Sequence, residues 1–187
     1  MKRLIPLTAA LVLGLALASP PPASAQKREH LTPEEIEHIR DNQELDKRTA
    51  VFIRAAERRL LMLTDPAAAA AAAAKEKESW GEVKGTRAQL LYDLSHILDE
   101  AVVNIDDVHQ RDPKSALLRK SLFQLSQAAG LLIPRLAPLR EQVDIEAERD
   151  QLERAIEAAQ EIIEAAKSHN VTEANAKAKD KGGKKGN

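Results

Sequence analysis

Apolar residues recur at three- and four-residue intervals over four stretches of the chain, and each stretch predicts an amphipathic helix. The first opens at Leu31-Thr32-Pro33-Glu34-Glu35, where Thr32 suits an N-cap, Pro33 the first helical position and Glu35 the far side of a capping box. Ile36, Ile39, Ala50, Ile53, Ala56, Leu60 and Leu63 then share one face, which carries this helix to about Thr64. Asp65-Pro66 stops it or starts a new turn. The alanine-rich segment 66–78 has high helix propensity and little to bury, so it reads as a solvated helical spacer or as a flexible excursion.

A second helix is expected from near Trp80 to about His109, on Val83, Leu90, Leu94, Ile97, Ala101 and Ile105. A third follows Asp112-Pro113, with Leu118, Leu122, Leu125, Ala129 and Leu132 inward, and Pro134 should end or kink it. The fourth starts at about Leu139 or Asp144 and points Ile145, Leu152, Ile156, Ala159, Ile163 and Ala166 inward until Asn170. Short connections make antiparallel neighbours of the second, third and fourth helices. The expected fold class is all-α: an antiparallel up-down four-helix bundle over 32–169, with a disordered basic C-terminal tail over 170–187.

Ahead of the bundle, Lys2 and Arg3 precede an apolar run, and Ala23-Ser24-Ala25 offers a small-x-small cleavage site. Residues 1–25 read as a signal peptide, 26–31 as a linker, and the expected location is periplasmic or secreted. No later segment is apolar enough to span a membrane. Removing residues 1–25 leaves 26 Lys plus Arg against 29 Asp plus Glu, net −3. That charge is uneven: residues 175–187 hold five lysines and one aspartate, which leaves 26–174 at −7. No aromatic is interleaved with the tail lysines, so nucleic acid is not an expected partner.

Two constellations bear on chemistry. Asn42, Asp46 and Thr49 interrupt the apolar face between Ile39 and Ile53, and Glu148, with Arg149 beside it, does the same between Ile145 and Leu152. A buried carboxylate needs a partner, because an unpaired one costs several kcal/mol. Arg149, Arg87 or a ligand would supply it, which makes Asn42, Asp46, Thr49, Glu148 and Arg149 the candidate binding residues; the competing reading is a wet edge. The other constellation is a metal alternative, Glu35-x-x-His38 with Asp93-x-x-His96, since an i, i+3 pair from each of two helices converges in di-metal bundles. Against it, His96 falls off the apolar stripe and Glu35 is already assigned to the cap. There is no cysteine, no phosphate-cradling glycine loop and no elbow to present a serine nucleophile, so neither a cofactor nor catalysis is expected.

Residues 31–59, with Arg40-Asp41, Gln43-Glu44-Leu45-Asp46-Lys47-Arg48 and Arg58-Arg59, resemble a group of uncharacterised exported bacterial helical proteins, a resemblance that implies no activity. Leu31-Thr32-Pro33-Glu34-Glu35 resembles more weakly the Leu-Thr-x-x-Gln motif of periplasmic chaperones of the Spy and CpxP kind, with Glu35 in the Gln position. The expected function is that of an exported, non-enzymatic helical binding or scaffold protein acting on an envelope protein partner. A metal-binding bundle and a periplasmic chaperone-like protein are the alternatives.

Overall fold

The computed structural model describes residues 29–177; the expected signal peptide and the lysine-rich stretch 178–187 lie outside them. Among the described residues all regular structure is helical: α1 (Pro33–Asp41), α2 (Leu45–Thr64), α3 (Pro66–Trp80), α4 (Arg87–Arg111), α5 (Ala116–Leu136), α6 (Glu146–Ser168) and α7 (Glu173–Ala176), with a 3-10 segment over Ala137–Gln142.

Local chemistry explains most of the boundaries. Thr32 caps α1 in a full capping box with Glu35, and Thr86 does the same for α4 with Gln89. The single first helix expected from Thr32 to Thr64 is instead two, broken at residues 42–44. There the Asn42 side chain donates to the His38 carbonyl at 2.8 Å, Gln43 reaches the Arg40 carbonyl, and Arg48 Nε satisfies the Asn42 carbonyl at 3.1 Å. Side-chain donors thus serve carbonyls at the end of α1, the His38 oxygen also keeping its bond from the Asn42 backbone N–H. The polar interruption read from the sequence is the mark of this break, and Ala50, expected inward, is exposed.

The alanine-rich segment is helical as α3, and only Ala69 of its alanines is buried. The second long helix starts at Arg87, seven residues later than Trp80, because Gly81 and the stretch to Thr86 form a connection. Pro134 does not end α5. The Gly130 carbonyl that loses its donor lies at an exposed position, as Pro134 does, so water can replace the missing bond. The chain tightens to 3-10 only at Ala137, where Pro138 opens the segment. At the end of α6, Asn170 adopts φ +50 and Val171 N–H bonds the Ala166 carbonyl at 2.8 Å, a left-handed helix stop that asparagine tolerates.

The tail expected to be disordered from residue 170 is structured in its first part. Thr172 and Asn175 form a capping box for the short α7, and Ala176 is buried where α7 packs on α5. Alanine supplies enough apolar surface there without a larger side chain.

Packing is cyclic: α2 lies against α4 and α5, and α6 lies against the same two helices. Between them sit Phe52, Leu91, Leu94, Ile97, Leu125, Leu136, Leu152 and Ile162, each fully buried and worth about 1.5–3 kcal/mol of burial. Although only four residues link α4 to α5, these two touch far less than either touches α2 or α6. Asp46 meets Lys120 and Thr64 meets Arg135, so α2 and α5 run side by side in the same sense. Sequence-adjacent helices are therefore not all packing neighbours. Ile145, expected in the core, is the N-cap of α6 and is 61% exposed.

Gly81 follows α3 at φ +68 and is buried, and a Cβ built there would collide with the Glu34 carboxylate. Gly81→Ala is expected to destabilise by about 1–2 kcal/mol through the left-handed backbone alone. Chemical denaturation checks this; an unchanged midpoint would mean that the turn relaxes freely.

Candidate functional site

Three places in the molecule carry polar or apolar features that a simple helical core does not require. The first is a buried charge cluster. Glu35 is fully buried, and one of its oxygens accepts from Arg58 at 2.5 Å and from Arg59, while the other accepts from the Thr32 amide at 2.9 Å. Arg58 also donates to the Trp80 and Gly81 carbonyls, at 2.8 and 2.6 Å, and Arg59 to the His30 carbonyl at 2.7 Å. The Thr32 hydroxyl donates to the Trp80 carbonyl at 2.9 Å. The residues before α1, α1 itself and α2 meet on one carboxylate, and the end of α3 is tied to them through Arg58 and Thr32.

That cluster takes up Glu35, one of the four residues of the metal alternative. Glu35 is enclosed by two guanidinium groups, which already balance its charge. His38 donates from Nε2 to the Ser79 carbonyl at 2.6 Å and lies against Trp80. His96 stacks on Tyr92 with centroids 3.7 Å apart, and its Nδ1 carries the proton it gives to the Tyr92 carbonyl at 2.9 Å. Asp93 is buried on α4. Among the described residues no three His, Asp or Glu side chains converge to hold a metal ion.

The second place is the polar break. Asp46 is buried in the first turn of α2, and its Oδ2 accepts from Lys120 of α5 at 2.5 Å. The partner is Lys120 rather than Arg149 or Arg87. Arg87 instead bonds the Gln142 carbonyl at 2.9 Å, and Arg149 bonds the Val143 carbonyl at 3.3 Å. Asn42 is consumed as the C-cap of α1, and the Thr49 hydroxyl bonds the Leu45 carbonyl at 2.8 Å within its own helix. Glu148 is half-buried on α6, and α2 and α6 share no packing contact. The five candidate binding residues therefore do not form one site. Burial by itself would raise the Asp46 carboxyl, but the hydrogen bond and charge of Lys120 outweigh it and hold the group below its ordinary value. Its Oδ1 is buried without a well-formed hydrogen bond.

The third place was not legible as a site. A groove of about 520 Å³ opens between the C-terminal halves of α4 and α6 and the first turns of α5. Val102, Ile105, Leu118, Leu122 and Ile162 line it, with Val103 55% exposed on its wall. Asp99, Asp106 and Glu161 stand around it, with Arg119, His109 and His169 toward the α4–α5 connection. A smaller groove of about 270 Å³ lies between α2, α3 and α5 beside Leu131, and the Arg54–Glu76 ion pair lies at its wall. The sequence signal for the larger groove was Val103, an apolar residue next to the inward Val102.

A scan against family models gives no match, and searches of the curated proteins and of solved structures give no significant one.

Glu35→Ala is expected to cost about 3–5 kcal/mol, because it strands two buried guanidinium groups. Urea denaturation of the variant measures it, and a loss under about 1 kcal/mol would show that the arginines rehydrate. For Asp46, a carboxyl held low in the folded state adds stability that is present above its ordinary value of 3.8 and is lost as the pH falls through the folded value. Lys120 is half exposed, so Asp46→Asn should cost only about 1 kcal/mol at neutral pH. The two proteins should converge in stability well below pH 3.8, and a gap that persists there would assign the effect to packing.

Proposed function

We propose that this chain is an exported, non-enzymatic helical binding protein of the cell envelope that presents the α4/α5/α6 groove to a protein partner. The single observation that carries this reading is the groove itself. It is an apolar trough, open at the surface and walled by three helices, with the exposed Val103 at its edge. Apolar surface of this kind, rimmed by charge, marks interaction sites more often than it decorates an inert scaffold.

The Lys2-Arg3 start, the apolar run and the small-x-small Ala23-Ser24-Ala25 site support export to the periplasm or beyond the cell. In this reading α2, α4, α5 and α6 form one up-down four-helix bundle, arranged around the axis in the order α2, α4, α6, α5. Such a bundle is a rigid frame, and rigidity lowers the ordering cost of binding. Catalysis has no support in the residues at the groove. Its titratable groups are surface carboxylates and histidines without the nucleophile–base hydrogen bond that covalent catalysis requires.

A photo-crosslinking residue in place of Val103 tests the proposal in the envelope of a cell expressing the full chain. One discrete adduct is expected from that position. No adduct is expected from a control at Lys47, which lies exposed on α2. Equal adducts from both positions, or none from Val103, would overturn the groove as the binding surface.

A further inference from the structure

The occupant of the groove can be specified from its length, its lining and its charge. We propose that it is a basic amphipathic helix of a partner protein, an inference that rests on the groove reading above and names the chemistry that fills it. From Asp99 to His109 the α4 wall runs eleven residues, about 15 Å, or nearly three helical turns. That is the span over which a docked helix sets anchors at i, i+3 or i+4, and i+7 into an apolar trough. The floor residues Val102, Ile105, Leu118, Leu122 and Ile162 are aliphatic and come from three different helices.

The charge around the floor selects the flanks of that helix. Several surface carboxylates are matched locally, as in Glu37–Arg40, Glu44–Lys47, Glu164–Lys167 and the two-bond Glu153–Arg140 pair. Among the described residues, Asp99, Asp106 and Glu161 are in no ion pair. Three unneutralised carboxylates face the groove against one guanidinium, that of Arg119, while residues 26–174 carry net −7. A fatty acid or another anionic ligand would meet three carboxylates against the single guanidinium of Arg119. A helix with Leu or Ile anchors and Lys or Arg beside them satisfies both parts of the surface, and like-charge repulsion excludes its acidic counterpart. The chain's own lysine-rich end, 178–187, offers the charge but has no large apolar residue to fill the floor.

The chain has no cysteine, so Val103→Cys in the full-length mature protein takes a polarity-sensitive dye at one position. The probes are two synthetic helices of about fourteen residues with identical Leu anchors, one flanked by lysines and one by glutamates. The lysine peptide is expected to shift the dye emission to the blue and to saturate. Asp99→Lys with Glu161→Lys should weaken it about tenfold or more, and added salt should weaken it on the unchanged protein. If the glutamate peptide binds as well or better, the charge assignment falls while the groove remains a binding surface. If neither peptide moves the dye, both the inference and the groove reading fall. A dye signal already shifted in the free protein and released by deleting 178–187, or by dilution to a monomer, would overturn the partner helix in favour of the chain's own tail or a second copy.

Discussion

Two arginines and one glutamate, all removed from water, set the constraint on which this end of the molecule depends. Burying an ion costs several kcal/mol unless nearly every hydrogen-bonding position is filled, and the Glu35, Arg58 and Arg59 cluster meets that condition with Arg59 Nε as its one buried atom without a partner. The consequence is geometric. Sliding α1 along α2 by one residue would strip Glu35 of both guanidinium groups. Releasing the end of α3 would strip Arg58 of the Trp80 and Gly81 carbonyls. An apolar contact tolerates such shifts because it has no direction; a satisfied ionic cluster does not. Position, more than net stability, is what the cluster contributes.

This constraint also explains how an alanine-rich helix comes to be held in place. The α3 segment has almost no amphipathic character, and its burial on α2 is confined largely to Ala69. Propensity makes it a helix, yet propensity says nothing about where a helix lies. Its far end is fixed by Arg58, Thr32 and His38, which bond the carbonyls of Ser79, Trp80 and Gly81, with the Trp80 ring against His38 and beneath Arg58. The buried φ-positive turn at Gly81 is what presents those carbonyls inward.

Local signals were legible in the sequence and distant pairings were not. The Thr32–Glu35 box and the stripes of α4 and α6 depend on residues three and four apart, so their spacing reveals them. The Asn42 break was visible only as a gap in the stripe, because a side-chain amide competing for a helix carbonyl leaves no periodicity. Glu35 read as a cap and was one, but its arginine partners stand 23 and 24 residues away on another helix. Arg58-Arg59 beside Ala55, Ala56 and Leu60 was the available clue: adjacent arginines within an apolar turn cannot both reach water. Lys120 was missed as the partner of Asp46 for a related reason. Nothing in the spacing shows that α2 and α5 run alongside each other.

The groove and its acidic rim, by contrast, are one feature of the sequence. Surface helices neutralise a carboxylate with a basic residue three or four positions away, as Glu37 does with Arg40 and Glu164 with Lys167. For Asp99 the positions three and four ahead are Val102 and Val103, and for Asp106 the positions four and three behind are the same two valines. Glu161 is likewise spaced from Ala158 and Ala165, both of which line the groove. Where a lysine or arginine would have closed a helical ion pair, the chain places the aliphatic side chains of the trough. The substitution that opens apolar surface thereby leaves the flanking acids without an intrahelical lysine or arginine, so floor and charge arise together.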